Sequence, residues 1–187
     1  SFSNAGPRLA YRFHAMTLSA RPQIEVDAPE EGVVVVTYRL PDTTLAGKVK
    51  DAVGKRTAPG KVRVAVLGRE GDGTPSAELL QEQREYFARD DVAPATDEVT
   101  VTAADIVKWR CRAVIYINRG PDPGVVRDQA LKNVQRYANE QHRIEGFIER
   151  SALGTELHNA GAERIDIQYP AESISAVDFH APYCTGV

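Results

Sequence analysis

The chain has 187 residues, of which 42% are hydrophobic and 26% charged, and this is ordinary for a globular protein. A formal net charge of -3 argues against a protein that binds nucleic acid through a basic excess. No apolar run approaches the roughly 20 residues that a membrane-spanning helix needs. Cys111 and Cys184 show neither C-x-x-C nor zinc-ligand spacing, which fits folding in a reducing cytoplasm.

The first third of the chain predicts a helix, a hairpin and a less regular segment. Apolar residues recur at helical spacing over residues 7–18. Residues 23–27 and 33–38 favour strands and flank a turn, so they predict a β-hairpin. Apolar residues four apart in 45–53 predict a short helix, which nearby glycines weaken. We expect the stretch 41–60 to be a mobile insertion or a connector.

A glycine-rich loop follows a predicted strand at 61–67 and precedes a predicted helix at 75–89. Amides of the Gly68–Thr74 loop could in principle surround a phosphate. However, the loop lacks the lysine of a P-loop, and the fingerprint G-x-G-x-x-G is absent. Glu70 and Asp72 would also repel an anion. We therefore interpret the loop as a plain strand-to-helix turn.

The second half of the chain predicts three strands, two helices and a basic stripe. The strands span 99–102, 106–117 and 164–169, and the helices span 124–142 and 150–160. Alternation along the middle strand places Lys108, Arg110 and Arg112 on one face. Such a stripe could touch nucleic acid. A solvent-facing strand or a charge-protected partner edge is the more ordinary interpretation.

These elements predict an α+β protein made of two small sheet-and-helix units, with short, predominantly antiparallel or mixed sheets. The first unit is expected to span 1–95, with an insertion at about 28–60. The second unit is expected to span 96–187 and to end in an irregular C-terminal tail.

No cluster of residues in the sequence indicates catalysis, a cofactor or a metal. The nucleophile elbow G-x-S-x-G is absent, and the four histidines lack H-x-x-H or H-E-x-x-H spacing. Serines and paired carboxylates fall at predicted helix starts and turns, where capping and solvation are their ordinary roles. We therefore expect no catalytic, cofactor-binding or metal-binding residue, and a protein that is not an enzyme.

Six runs of sequence, spread along the chain outside about 28–60, carry a family resemblance through their order. They are Leu9–Ala15 (preceded by Gly6-Pro7), Val64–Ser76, Asp91–Asp105, Ala113–Pro123, Arg150–Leu153 and Cys184–Gly186. Together they resemble the C-terminal portion of the phage baseplate assembly protein J family. Members of that family are longer and commonly lack the segment 33–60, so this segment is expected to be an insertion and a contact surface.

The resemblance implies a structural component of a phage contractile-tail baseplate that helps to assemble and connect the baseplate wedges. It implies partners among other baseplate and tail proteins, including copies of the same protein, and it carries over no catalytic residues. The implied location is the virion tail baseplate, assembled in the host bacterial cytoplasm. A phage, a prophage or a phage-tail-like bacteriocin would be equally compatible sources.

An assembly protein is expected to place exposed apolar residues at its interfaces. The predicted partner contacts are Val33, Val34, Val35, Val36, Phe179 and Tyr183. We expect no membrane partner and no nucleic acid. Two alternatives stay open. One is a small phosphate- or nucleotide-binding enzyme that uses the Gly68–Thr74 loop, and the other is a nucleic-acid-binding module that uses the basic stripe.

Overall fold

The computed structural model describes residues 8–18, 23–39, 45–89, 92, 98–120 and 122–187. Within these residues, short helices combine with short antiparallel and parallel sheets, so the predicted α+β class is confirmed. Contacts divide the chain into two compact units, 1–104 and 105–187. The boundary expected after residue 95 lies outside the described residues, as does residue 7 at the start of the first predicted helix.

In the described part of the first unit, two helices and a hairpin accompany a three-stranded sheet. The helices are α1 (Arg8–Thr17) and α2 (Ala77–Phe87), and a short 3₁₀ helix spans Leu45–Lys48. The strands are β1 (Gln23–Glu30), β2 (Val33–Arg39), β3 (Val49–Ala58), β4 (Lys61–Gly68) and β5 (Glu98–Ala103). The predicted hairpin is confirmed as β1–β2. The sheet has the order β3-β4-β5, with β4 antiparallel to β3 and parallel to β5.

The core of the first unit includes residues from the three-stranded sheet, α1 and α2. Val64 and Val66 of β4 are fully buried, as expected for the central strand of a sheet. The amide of the buried Gln83 donates to the carbonyl of Ala15 and so ties α2 to α1. At the sheet, the Arg12 guanidinium donates to the buried Asp51 carboxylate at 2.8 Å.

The helix predicted across 45–53 is wrong beyond its first turn. The 3₁₀ helix ends at Lys48, and the chain continues as β3. Val49, Ala52 and Val53 are buried in this strand. Pairing along β4 satisfies the backbone of the segment, and the β-branched valines fit a pleated surface, so tertiary context overrides a spacing of four.

In the described part of the second unit, two helices lie with six short strands. The helices are α3 (Pro123–Gln141) and α4 (Arg150–Asn159). The strands are β6 (Asp105–Trp109), β7 (Arg112–Tyr116), β8 (Phe147–Ile148), β9 (Arg164–Tyr169), β10 (Ile174–Ser175) and β11 (His180–Cys184). β6 pairs with β11 in parallel, whereas β7 pairs with β9 and β8 with β10 antiparallel. Both predicted helices are confirmed. No helix in the described part of the chain is long and apolar enough to cross a membrane.

The single strand predicted over 106–117 is interrupted at Arg110 and Cys111, which is a correction. Its two halves become β6 and β7 and pair with different strands. The tail, expected to be irregular, contains β10 and β11. The consecutive residues Ala181 and Pro182 are both buried, so β11 lacks the alternation that would have predicted it.

Arg150 fixes the tail to the start of α4. Its guanidinium donates to the carbonyls of Ile167 at 2.6 Å, Pro170 at 2.8 Å and Ala171 at 2.8 Å. One turn later, Leu153 is fully buried in the core of the unit. The run Arg150–Leu153 therefore contributes hydrogen bonds through its first residue and core packing through its last.

The contact between β3 and α1 gives a first prediction. A Cβ at Gly54 would lie 2.5 Å from the Cβ of Tyr11, so Gly54→Ala must force α1 away from the sheet. We expect the free energy of unfolding to fall by about 1–3 kcal/mol, as for an overpacked core. Urea denaturation measures this loss. The matched control is Gly186→Ala, because a Cβ there meets no atom within 4 Å. Equal effects of the two substitutions would contradict the packing argument.

The hydrogen bonds from the Arg150 guanidinium to three backbone carbonyls give a second prediction. Lysine keeps the charge of Arg150 but cannot reach three separate carbonyls with a fixed fork of donors. We expect Arg150→Lys to lower the free energy of unfolding by roughly 1–3 kcal/mol. Arg143→Lys at an exposed turn position is the control and should change stability by less than about 0.5 kcal/mol. An Arg150→Lys substitution that leaves the free energy of unfolding unchanged would show that these three hydrogen bonds do not stabilise the tail.

Candidate interaction surface

The β1–β2 hairpin exposes side chains that globular proteins commonly bury. Every hairpin side chain from Ile24 to Thr37 is exposed, as is Arg39. The predicted contact residues Val33, Val34, Val35 and Val36 are 42%, 66%, 45% and 44% exposed. An isolated two-stranded hairpin is marginally stable in water. We therefore take the β1–β2 hairpin as the candidate interaction surface.

One face of the hairpin is apolar. Val26 lies opposite Val36 in the antiparallel register, and successive side chains alternate between faces. Ile24 and Val34 consequently share the face of that pair. These four aliphatic side chains are all exposed. The hairpin thus carries a continuous apolar strip on one side.

The opposite face of the hairpin is acidic along β1. Glu25 and Asp27 alternate with the aliphatic residues of β1. Glu30 ends the strand, and Glu31 lies in the turn. Arg39 on β2 forms an ion pair with Glu25 at 3.1 Å, and both side chains are largely exposed. Three carboxylates of β1 against one guanidinium leave this face with a net negative charge.

The other two predicted contact residues, Phe179 and Tyr183, lie in the second unit and are partly buried. The carbonyl of Phe179 accepts a hydrogen bond from the amide of Asp105 at 2.9 Å. The Tyr183 ring meets the His142 ring edge-on, with centroids 5.3 Å apart. The backbone of Phe179 and the ring of Tyr183 therefore make contacts within their own unit, and the contact of these residues with a partner stays a prediction.

An apolar cavity in the second unit lies beside β7, which the sequence did not predict. Among the described strands, β7 pairs with β9 alone. A cavity of about 200 Å³ lies between β7, α3 and α4. Its lining includes Ala113, Ile115, Ala130, Leu131, Leu157 and Arg112. Cys111, Val187 and Arg127 complete the lining, so aliphatic side chains dominate the pocket and the two arginines Arg112 and Arg127 also border it.

The backbone groups of Ala113 and Ile115 point to the edge of β7 that lies away from β9. The Tyr116 carbonyl accepts from the amide of Glu163 on the β9 side. On the other side, the amide of Cys111 donates to the carbonyl of Gly186. Since backbone groups alternate between the two edges of a strand, those of Ala113 and Ile115 point to the same edge as Cys111.

Basic side chains lie on the outer face of the β7–β9 sheet and on the residues that precede β7 in the chain. The predicted stripe is exposed at Lys108, Arg110 and Arg112. The Arg110 guanidinium lies 4.6 Å from the centroid of the Tyr169 ring, and that of Arg164 lies 3.8 Å from the centroid of the Tyr116 ring. Stacking of this kind holds the guanidinium planes against the sheet. Asp166, opposite Val114, contributes a carboxylate to the same face.

The Gly68–Thr74 loop is closed by its own hydrogen bonds. The amide of Gly68 donates to the Gly73 carbonyl at 2.6 Å, and the amide of Thr74 donates to the Asp72 carboxylate at 3.1 Å. Ser76, which follows the loop, caps α2. The amides at both ends of the loop are thus engaged, and the Asp72 carboxylate lies beside them. The geometry disfavours the phosphate-binding alternative.

Metal-ligating side chains do not gather in the described part of the chain, where no group of three His, Cys, Asp or Glu could hold an ion. Each histidine instead has a packing or hydrogen-bonding contact. His14 Nδ1 lies 2.8 Å from the Tyr86 hydroxyl, and the rings of His142 and Tyr183 pack together. His158 and His180 are hydrogen-bonded to nearby carbonyls at 2.8 Å.

Of the comparisons with known proteins, one finds a relative and one finds no match. No family model matches the chain. A search of curated proteins finds baseplate protein J of Escherichia phage P2, which is 32% identical over 151 residues. The match covers 81% of this chain and 50% of that protein.

The chain is related to the baseplate protein J family. The resemblance stated from the sequence is therefore confirmed. The chain spans about half the length of the phage P2 protein that it matches.

Relation to the baseplate protein J family does not by itself identify the contact residues. The strand that the valines of β2 form was predictable, because a run of β-branched residues beside a turn favours a hairpin strand. The cavity beside β7 was not predictable, because it depends on how β7, α3 and α4 pack. A usable signal was present in the small residues Ala113 and Ala130, which leave space where larger side chains would fill it.

The cysteine beside this cavity gives a third prediction. Burial, with a smaller contribution from Cys184, raises the pKa of the Cys111 thiol from 9.0 to about 11. The neutral thiol is therefore favoured in the folded state. The resulting stabilisation is complete below about pH 9 and is lost as the pH rises through about 11. In a Cys184→Ser variant, which keeps the burial but removes the contribution of Cys184, alkylation of Cys111 should show its midpoint at a higher pH when folded than in urea. Coinciding midpoints would contradict burial of the thiol.

Proposed function

We propose that this chain is part of a structural protein of a phage contractile-tail baseplate, where it helps to assemble and connect neighbouring wedges. The relation to baseplate protein J of phage P2 supports this role. The observation that carries it in the structure is the β1–β2 hairpin, whose apolar strip is exposed. An assembly protein needs such a surface, whereas the hairpin contributes little to a core of its own.

Burial of the strip by a partner would be favourable. Removing apolar surface from water contributes roughly 25 cal/mol per Å². Ile24, Val26, Val34 and Val36 expose between 44% and 67% of their surface. Covering all four side chains would therefore stabilise a complex without any catalytic or cofactor chemistry.

The proposed partners are other baseplate and tail proteins, including copies of the same protein. The proposed place of action is the virion tail baseplate, after assembly in the host bacterial cytoplasm. The proposed role is not enzymatic. The occupied amides of the Gly68–Thr74 loop lend no support to the phosphate-binding alternative, and Asp166 interrupts the basic face on which a nucleic-acid module would depend.

Co-expression provides the fourth prediction. The full-length protein, produced with its neighbouring baseplate proteins, should co-elute with them in size-exclusion chromatography with light scattering. Val34→Asp places a charge on the apolar strip, and we expect it to weaken co-elution at least about tenfold, which corresponds to about 1.4 kcal/mol.

The control is Val125→Asp in the first turn of α3. Val125 is 67% exposed and Val34 is 66% exposed, so the two substitutions change equally accessible valines. An aspartate is also well tolerated near a helix N-terminus. A protein that ignores its baseplate neighbours would contradict the proposed function. Equal losses from both variants would contradict the part assigned to the hairpin.

A further inference from the structure

We propose that β1 of one copy of this chain adds as a strand to the β7 edge of a second copy. This inference rests on the proposed function of the hairpin as an assembly surface and names its partner. The contact would be a strand addition, in which backbone hydrogen bonds supply affinity and alternate side chains supply specificity.

The receiving edge has both features that strand addition requires. By alternation along the strand, the backbone groups of Ala113 and Ile115 point to this edge, next to Cys111, whose amide already donates to Gly186. Among the described strands, β7 pairs with β9 alone. On the inner side, the edge borders the largely apolar cavity of about 200 Å³, which Arg127 of α3 and Val187 also line. On the outer side, it carries Arg112, with Arg110 just before it in the chain. An incoming strand would therefore meet an apolar side and a basic side.

The donated strand has the complementary pattern. Residues Ile24–Asp27 read Ile-Glu-Val-Asp, so aliphatic and acidic side chains alternate. Within the described residues, β1 pairs with β2 alone, which leaves its second edge available. Ile24 and Val26 point to one face of the strand, whereas Glu25 and Asp27 point to the other.

Placed on the β7 edge, the two patterns match. Ile24 and Val26 would turn towards the cavity, while Glu25 and Asp27 would lie on the outer face, which carries Arg112 and, stacked on Tyr169 of β9, Arg110. Directly neighbouring side chains of opposite charge stabilise adjacent strands. β2 lacks this match, because Val33–Val36 presents valines to both faces and no carboxylate. Charge complementarity therefore selects β1, and a second copy supplies it.

The proposed contact is directional. Each copy donates β1 from its first unit and receives a strand at β7 of its second unit, so the surfaces joined are different. Such head-to-tail contacts close into rings or continue as open chains, depending on the rotation between copies. The same surfaces would serve at every junction between copies.

Sedimentation of the purified 187-residue chain over a concentration series tests the contact and is the fifth prediction. We expect association that Glu25→Arg and Arg112→Glu each weaken about tenfold, because each substitution places like charges together. The double variant E25R/R112E exchanges the charges and should restore association. The two single variants, when mixed, should also associate, because one retains an unchanged β7 edge and the other an unchanged β1.

Matched controls are Glu82→Arg on α2 and Arg143→Glu at the turn after α3, both at exposed positions with the same changes of charge. These controls should associate like the unchanged chain. A chain that stays monomeric at several hundred micromolar, single variants that behave like the controls, or a double variant as weak as the single ones would each overturn the β1–β7 contact.

Failure of this inference is distinguishable from failure of the proposed function. A chain that co-elutes with its baseplate neighbours but shows none of these charge effects keeps the proposed function and loses the contact between copies. A chain that shows the charge effects but ignores those neighbours keeps the contact and loses the proposed function.

Discussion

The parallel pairing of β6 with β11 organises the second unit. It brings the residues from His180 to Cys184 back beside the strand that opens the unit, from Asp105 to Trp109. The contact continues to Cys111, whose amide donates to Gly186. Next along the same edge come Ala113 and Ile115, which border the cavity. The site proposed for a second copy thus depends on this pairing, because β11 covers the preceding part of the edge.

The predictions from sequence that succeeded depend on signals between residues close together in the chain. Helices with a regular apolar stripe, such as α3, were predictable because Val126, Ala130 and Val134 recur at helical spacing and are all buried. The Asp122 cap follows from local chemistry, since its carboxylate accepts hydrogen bonds from the first amides of α3. Local signals were sufficient where the structure depends on neighbouring residues in the chain.

Signals from distant segments were missed for a physical reason. β3 was interpreted as helix because its pairing with β4 cannot be read from the spacing of Leu45, Val49 and Val53. The interruption at Arg110 was invisible because alternation of buried and exposed residues continues across it, with Trp109 and Cys111 both buried. Of the candidate site, the exposed valines of β2 were predictable. The receiving edge was not, since it arises from three elements that meet only in the folded chain.

The acidic face of β1 also limits how unassembled copies meet. Open strand edges invite pairing between identical segments, and charged side chains are a common protection against it. If two β1 strands paired with each other antiparallel, carboxylates would fall opposite or diagonal to carboxylates, and like charges in these positions are destabilising. Glu25 and Asp27 therefore disfavour symmetric aggregation of the hairpins through β1. Pairing of two identical hairpins through β1 is therefore unfavourable, whereas pairing of β1 with a basic edge is not.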